Sequence, residues 1–233
     1  KTREAVFYYV VRMRSPDRLI DPDTLHYYTR TSVAHITGKS KITSNQGIIY
    51  TDDGFFDSKQ DKARLYNRST VINEGKTIVG DSLYFDDNTG VAEGFGNVVY
   101  IDTQNKNELR CGHLNYNKIS GYGYATIDAL LKDFSQEDTL YLHGDSIKLY
   151  TYDINTDSVY RVVHCFDKVR AYRTDMQAVC DSLVFSSKDS CLTMYRDPIV
   201  WNAGRQMLGE KIMVFMNDST IREAHVLGQA FSI

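Results

Sequence analysis

A short sequence pattern recurs along the whole chain of 233 residues. Its clearest copy is Gly80-Asp81-Ser82-Leu83-Tyr84-Phe85, and close copies begin at Gly144 and Cys180. The central Leu or Ile, here named the anchor, returns at spacings of 23, 35, 31, 33, 36 and 29 residues. Such a period is typical of repeat architectures, in which a unit buries its apolar face only by stacking on its neighbours. The seven anchors are Leu25, Ile48, Leu83, Leu114, Ile147, Leu183 and Ile212.

Each anchor is followed two positions later by an apolar or aromatic residue. These partners are Tyr27, Tyr50, Phe85, Tyr116, Leu149, Phe185 and Val214. Because side chains two apart on a strand point to the same face, each copy presents two large groups to one side. Asp, Gln or Glu stands two residues before the anchor in six of the seven copies, Gln46 among them. Stacked anchors therefore predict a continuous apolar interior.

A second half-unit follows each turn and completes the repeat. Residues 89–98 match residues 221–230, and Ala34/Gly38 and Ala63/Asn67 keep the same four-residue step. Gly or Asn at that step predicts a bulge or a corner with positive φ. With 17 Tyr, 10 Phe and only 3 Pro, the composition favours strands. Each unit is thus predicted to be a strand, a turn and a returning strand.

The domain organisation follows from the same alignment. No linker interrupts the series, so residues 1–233 are expected to form a single elongated all-β domain of about seven repeats. The first residues, from Thr2, align with the second half-unit, so we expect the chain to open in mid-repeat as a piece of a longer protein.

Charge and hydropathy exclude several classes of protein. The formal net charge is −3 and the pI near 6.1, which argues against a nucleic-acid partner, because such binding rests on cationic contacts to phosphate. The longest apolar run, residues 5–11, is far too short to span a bilayer as a helix. The first residues do not show the basic and apolar pattern of a secretory leader, so we expect either a cytosolic chain or one that lacks its leader here.

Catalytic and metal chemistry find little support in the sequence. The tetrapeptide Gly80-Asp81-Ser82-Leu83 also begins a GDSL-type esterase block, in which Ser82 would be the nucleophile. Such a serine would need a His base, and a catalytic serine would not recur with the period of the structural repeat. The six histidines lack the spacing of metal ligands. The acidic pairs Asp52-Asp53 and Asp86-Asp87 are expected to be turn formers. We therefore expect no enzyme activity, no metal and no cofactor.

The four cysteines leave the redox state open. They are Cys111, Cys165, Cys180 and Cys191, which allow three full pairings. Cys180 and Cys191 flank one predicted hairpin, so they are the candidate disulfide, although a turn centred near Ser187 would not place them directly opposite. Free buried thiols are the alternative.

The run from Gly80 through Gly94-Phe95-Gly96-Asn97-Val98 resembles the OstA-like (LptA-like) family. That family includes the periplasmic lipopolysaccharide-transport bridge and the N-terminal portions of its outer-membrane assembly partner. The match recurs across essentially the whole chain, most sharply at residues 77–102, 139–150 and 176–185.

The resemblance implies an open β-jellyroll of stacked V-shaped strand pairs, with an apolar groove between two sheets. It implies that the groove holds the acyl chains of lipopolysaccharide in the periplasm of a Gram-negative bacterium. The anchors and their partners would line that groove. It further implies other lipopolysaccharide-transport proteins as partners, and units joined end to end by strand pairing.

The apolar ladder itself allows two interpretations. A groove for acyl chains and a filled β-solenoid core would use the same Leu, Ile, Phe and Tyr residues, so the residues alone do not separate them. The alternative function is a filled solenoid that serves as an adhesin or a glycan-binding scaffold, with tyrosines exposed on its outer face.

Overall fold

The computed structural model describes residues 3–8, 11–14, 18–45, 47–202, 204–217 and 220–233. The described ranges contain strands and no helix, which confirms an all-β fold, and they therefore hold no helix able to cross a membrane. Two residues of the sequence prediction lie outside these ranges. They are Thr2, where the mid-repeat start is predicted, and Gln46, the residue two positions before the predicted anchor Ile48. The strands are β1 (Glu4–Tyr8), β2 (Met13–Arg14), β3 (Arg18–Asp21), β4 (Thr24–Tyr28), β5 (Val33–Ser44), β6 (Gly47–Asp57), β7 (Lys62–Tyr66), β8 (Ser69–Asn73), β9 (Lys76–Gly80), β10 (Ser82–Asp86), β11 (Val91–Asp102), β12 (Asn107–Asn117), β13 (Tyr122–Asp133), β14 (Leu140–Tyr152), β15 (Tyr160–Arg173), β16 (Met176–Ser186), β17 (Cys191–Tyr195), β18 (Ile199–Asn202), β19 (Arg205–Leu208), β20 (Lys211–Asn217), β21 (Thr220–Leu227) and β22 (Phe231–Ser232).

A bulged corner interrupts the pairing of the long strands. Between β5 and β6, Thr37 pairs with Asp53 and Ser40 with Thr51, so two residues of β5 oppose Asp52 alone. The same two-against-one count occurs opposite Asp145 and opposite Asp181. Each corner divides its strand into two arms, here named the first arm, which carries the anchors, and the second arm.

Positive φ at the corners confirms the prediction made from the four-residue Ala/Gly step. Gly38, Asn67 and Gly96 have φ of 81°, 59° and 70°. Several corners use two consecutive left-handed residues without a glycine, which is costly for a residue with a Cβ. These pairs are Asn67–Arg68, Ile127–Asp128, Asp167–Lys168 and Arg196–Asp197.

Contacts divide the chain into two compact units. The N-terminal unit comprises residues 1–104 and 113–119, and the C-terminal unit comprises residues 105–112 and 120–233. The single domain expected for residues 1–233 remains a prediction.

The first arm of the N-terminal unit turns two rows of side chains inward. Strand pairing aligns Leu25, Ile36, Gly54, Leu65, Leu83 and Gly94 in the row next to the corner. The next row aligns Tyr27, Ala34, Phe56, Ala63, Phe85 and Ala92. Large and small residues alternate within the second row, so each aromatic ring has room beside an alanine.

The second copy of the repeat is misplaced in the sequence prediction, and the strand register corrects it. Asp52 occupies the corner of β6, so the copy runs from Asp52 to Asp57 and Gly54 takes the anchor position. The pair Asp52-Asp53 therefore lies within a strand and is not a turn former. The predicted anchor Ile48 and its partner Tyr50 lie in the second arm on the outer face, because Ile49 between them packs against the core. A one-residue shift along a strand reverses the face of every side chain.

The C-terminal unit repeats the arrangement. In its first arm, pairing aligns Ala125, Ile147, Cys165, Leu183, Met194, Ile212 and Val226 next to the corner. In its second arm, Leu131, Leu142, Ala171, Ala178, Val200 and Met207 are aligned.

The disulfide considered between Cys180 and Cys191 is not formed. All four cysteines are free and buried. Ser186 pairs with Cys191 across the hairpin, and Cys180 lies six residues before Ser186 on β16. Six strand residues span roughly 20 Å, about three times the largest Cα separation that a disulfide bridges.

The inside and outside faces of β10 can be tested by a pair of charge substitutions. Leu83 is 2% exposed, so Leu83→Asp buries an unpaired carboxylate and should lower the free energy of unfolding by roughly 3–5 kcal/mol. Tyr84 lies on the outer face, so Tyr84→Asp should lower the free energy of unfolding by only about 1 kcal/mol. Urea denaturation measures both; equal losses would show that the register is wrong.

Candidate functional site

The inner faces of the two arms are the candidate functional site, and most of the predicted groove residues reach them. Five anchors are buried there, namely Leu25, Leu83, Ile147, Leu183 and Ile212. Leu114 is half-buried on β12, on the face opposite to His113, whose ring binds Glu93 on the outer surface. Ile48 and Tyr50 do not reach the site.

The partner residues are more accessible than the anchors. Val214 is buried, and Tyr27, Phe85, Leu149 and Phe185 are half-buried. Tyr116 is exposed. It lies two residues after Leu114 on β12, and therefore on the face opposite to the outward-facing His113. Because partners lie two residues farther from the corner than anchors, side chains close the interior at the corner and become accessible away from it.

A row of apolar side chains in the second arm of the N-terminal unit completes the inner surface. The pattern of anchors does not predict this row. Pairing aligns Ile20, Ile42, Ile49, Val71, Ile78 and Tyr100. Ile49, Val71 and Ile78 are partly buried and pack against the buried core that contains Leu25 and Leu83. Ile20, Ile49 and Ile78 recur every 29 residues, as do Ile42, Val71 and Tyr100, and this strict period would have revealed the row.

Polar side chains secure the outside of the corners. The Asp81 carboxylate accepts hydrogen bonds from Asn97 Nδ2 at 2.8 Å and Arg68 Nη1 at 3.0 Å. These two bonds, the one from Asn97 first, hold the pKa of Asp81 below its ordinary value. Both donors are side chains. Arg196 binds Asp181 in the same way at 3.0 Å.

Ser82 is the residue that a GDSL-type esterase would use as its nucleophile. Within the part of the chain that the structure describes, no histidine ring is bonded to its hydroxyl. Three outer-face histidines instead bind carboxylates: His26 with Glu4, His35 with Asp53, and His113 with Glu93, at 2.8–3.0 Å. The described residues hold no cluster of three or more side chains suited to a metal ion.

Two open clefts lie near the corners, and each carries charged side chains. The larger, of about 740 Å³, is lined by four carboxylates, including Asp181 and Glu210, together with Arg196. The smaller, of about 260 Å³, is lined by Lys39, Arg68 and several hydroxyl groups. Phe166 and Tyr195 also line the larger cleft, but an acyl chain there would desolvate several of the charged groups, which disfavours lipid binding.

Comparisons with known proteins give likenesses to solved structures and none at the level of sequence. No family model matches the sequence, and no curated protein matches it. The fold is similar to the crystal structure of LptH from Pseudomonas aeruginosa, described as the LptA homologous periplasmic component of the conserved lipopolysaccharide transport device. The identity is 14% and the TM-score 0.32, over 68% of this chain and 93% of that one. A TM-score this low establishes neither a shared family nor a shared activity.

The buried thiols should be unreactive in the folded protein. Burial, helped by neighbouring Cys180, raises the pKa of Cys165 from 9.0 to about 12, and burial with Asp181 raises the pKa of Cys180 to about 12. At pH 8 we expect Ellman's reagent to label none of the four cysteines in native protein and all four in urea. Rapid labelling of the native state would contradict this burial.

The same shifts predict weaker stability in alkali. A thiol whose pKa rises on folding contributes stability that is present below pH 9 and is lost as the pH rises from about 9 towards 12. Free energies of unfolding measured across this range should fall. The fall should be shallower in Cys165→Ala, which removes one of the two shifted groups; an identical slope would contradict the assignment.

Proposed function

We propose that this chain is a non-enzymatic lipopolysaccharide-binding module that serves lipopolysaccharide transport in outer-membrane assembly, in the periplasm of a Gram-negative bacterium. The acyl chains of the lipid would lie between the inner faces of the two arms. The observation that carries the proposal is the series of half-buried apolar side chains that continues across neighbouring strands, including Tyr27, Phe85, Ile49 and Val71. The sequence resemblance to the OstA-like family supports the same role.

The energy available for such binding is hydrophobic. Each methylene removed from water contributes about 0.8 kcal/mol, so a dozen would contribute up to roughly 10 kcal/mol. Ordering of the acyl chain and loss of its free motion subtract from that figure. Contact with Tyr27 and Phe85 needs no rearrangement of the fully buried anchors, because those rings are already partly accessible.

A filled solenoid core remains the competing interpretation. The buried anchors Leu25, Leu83 and Leu183 favour it close to the corners, where no space is left for a lipid. The two interpretations differ at the partner positions: lipid reaches these in a groove and is excluded from them in a filled core.

Site-specific crosslinking separates the two. A photo-reactive phenylalanine analogue at Phe85 or Phe185 should label added lipopolysaccharide, because these side chains face inward and are half-buried. The matched control is the analogue at Tyr84, the outward neighbour on β10, which should label little. Native mass spectrometry of protein from a lipopolysaccharide-producing host should detect co-purified lipid. Absence of labelling at both inner positions would refute the proposal.

We also propose that copies of the chain associate end to end by strand pairing. In the described residues, β1 pairs with β4 and β21 pairs with β20, and no strand pairs with the other edge of either. Both edges carry exposed apolar side chains, such as Tyr8 and Leu227. Unpaired N–H and C=O groups favour addition of a further strand. Pairing of one edge with the opposite edge of a second copy is heterologous and gives open rows.

Light scattering over a concentration series tests this association. The weight-average mass should rise with concentration, and Val6→Lys should weaken the rise because a charged side chain on β1 disfavours edge pairing. Tyr152→Lys, an exposed position away from both edges, is the control and should behave as wild type. A mass that stays monomeric at the highest soluble concentration would contradict the proposal.

A further inference from the structure

The outer face of the second arm in the C-terminal unit carries a row of exposed rings and amides. Strand pairing places Tyr141 opposite Tyr172, Tyr172 opposite Gln177, Gln177 opposite Trp201 and Trp201 opposite Gln206. We name these five residues the aromatic row. Neighbouring strands lie about 4.8 Å apart, so the span from Tyr141 to Trp201 is roughly 14 Å.

The rings of this row have no role in the core. Tyr141, Tyr172 and Trp201 are 38%, 48% and 37% exposed. The adjacent residues Leu142, Ala171 and Val200 are buried on the opposite face and fill the interior. Three large exposed rings in register on one sheet are unlike the scattered apolar residues of an ordinary surface, and such patches mark binding sites.

Three polar side chains in and beside the row are available for hydrogen bonds to a ligand. Among the described residues, the side-chain amides of Gln177 and Gln206 and the guanidinium of Arg170 have no side-chain hydrogen bond or ion pair. Arg170 pairs with His143 in the neighbouring outward row. By contrast, Lys132, opposite Tyr141 at the end of the row, binds Glu108 at 3.1 Å. The row thus offers flat apolar faces and uncommitted donors and acceptors within a few ångströms of each other.

We propose that the aromatic row binds a glycan chain. A sugar ring has an apolar C–H face that stacks on an aromatic ring and a rim of hydroxyls that amides and guanidinium groups can bond. A straight row suits an extended polymer. A lipid or an apolar protein surface would leave the amides of Gln177 and Gln206 buried without partners, at a cost in free energy. This site lies on the outer face of the second arm, away from the apolar inner faces, and does not depend on the lipopolysaccharide proposal.

The chain's single tryptophan makes the proposal directly measurable, because Trp201 belongs to the row. The full chain is titrated with hydroxyethyl cellulose, with dextran and with core oligosaccharide released from rough lipopolysaccharide, while Trp201 fluorescence and its quenching by acrylamide are followed. At least one glycan should shift the emission and protect Trp201 from the quencher. The first two probes represent a free polysaccharide, and the third represents the sugar part of a glycolipid. The three titrations therefore distinguish these two sources.

Matched variants test the row itself. Tyr172→Ala should weaken glycan binding about ten-fold, and Tyr172→Phe should retain most of it because the ring remains. Gln177→Ala should weaken binding several-fold. Tyr152→Ala is the control, since Tyr152 is a similarly exposed tyrosine of the same unit (44%) outside the row, and its binding should equal wild type.

Three results would overturn the proposal. One is an unchanged Trp201 signal with all three glycans at millimolar sugar concentrations. Another is wild-type affinity in a folded Tyr172→Ala variant, with folding checked by its melting transition. The third is a blue shift produced by phosphatidylethanolamine–phosphatidylglycerol vesicles and by no glycan, which would assign the face to a lipid surface.

Discussion

The two-against-one corner is the constraint on which the rest of the structure depends. At each corner, two residues of one strand, at least one of them left-handed, lie opposite a single acidic residue of the next strand. This bulge bends a long strand without ending its pairing. Both arms therefore turn their apolar rows towards one interior. Each non-glycine residue in the left-handed region costs roughly 1–2 kcal/mol. The bonds of Asp81 with Asn97 and Arg68, and of Arg196 with Asp181, oppose that cost where the glycine is missing. The corner carboxylates are therefore structural.

The corner also explains how much of the fold could be predicted. An all-β chain, strand-turn-strand units and positive φ at Gly38, Asn67 and Gly96 follow from local chemistry, because turn formers and glycine steps act over a few residues. The second copy could not be found from apolar anchors, since Gly54 stands where a leucine is expected. A Cβ on Gly54 would lie 3.0 Å from Leu65 and 3.3 Å from Phe56, so neighbouring side chains fill that place. Complementary packing of this kind is not visible in one copy alone.

The candidate site was predicted in part for a related reason. Anchors identify the first arm, and Leu83, Phe85, Leu183 and Phe185 do face inward there. The second arm has its own rows, with Ile49 inward and Ile48 outward, and a search tied to the anchors cannot distinguish them. The accessibility of these side chains could not be predicted, because Leu25 and Tyr27 belong to the same apolar pattern and yet Leu25 is buried and Tyr27 is half-buried.

Alternation along a strand assigns the two proposed activities to separate residues of the same strands. Ala171 and Val200 face the interior, and their neighbours Tyr172 and Trp201 stand on the outer surface. The inner face of these strands carries small and aliphatic side chains, which present apolar surface. The outer face keeps rings and amides in contact with solvent. Because the pleat holds these two sets on opposite sides, substitution of an outer ring leaves the inner packing in place, and each surface can be altered without rebuilding the other.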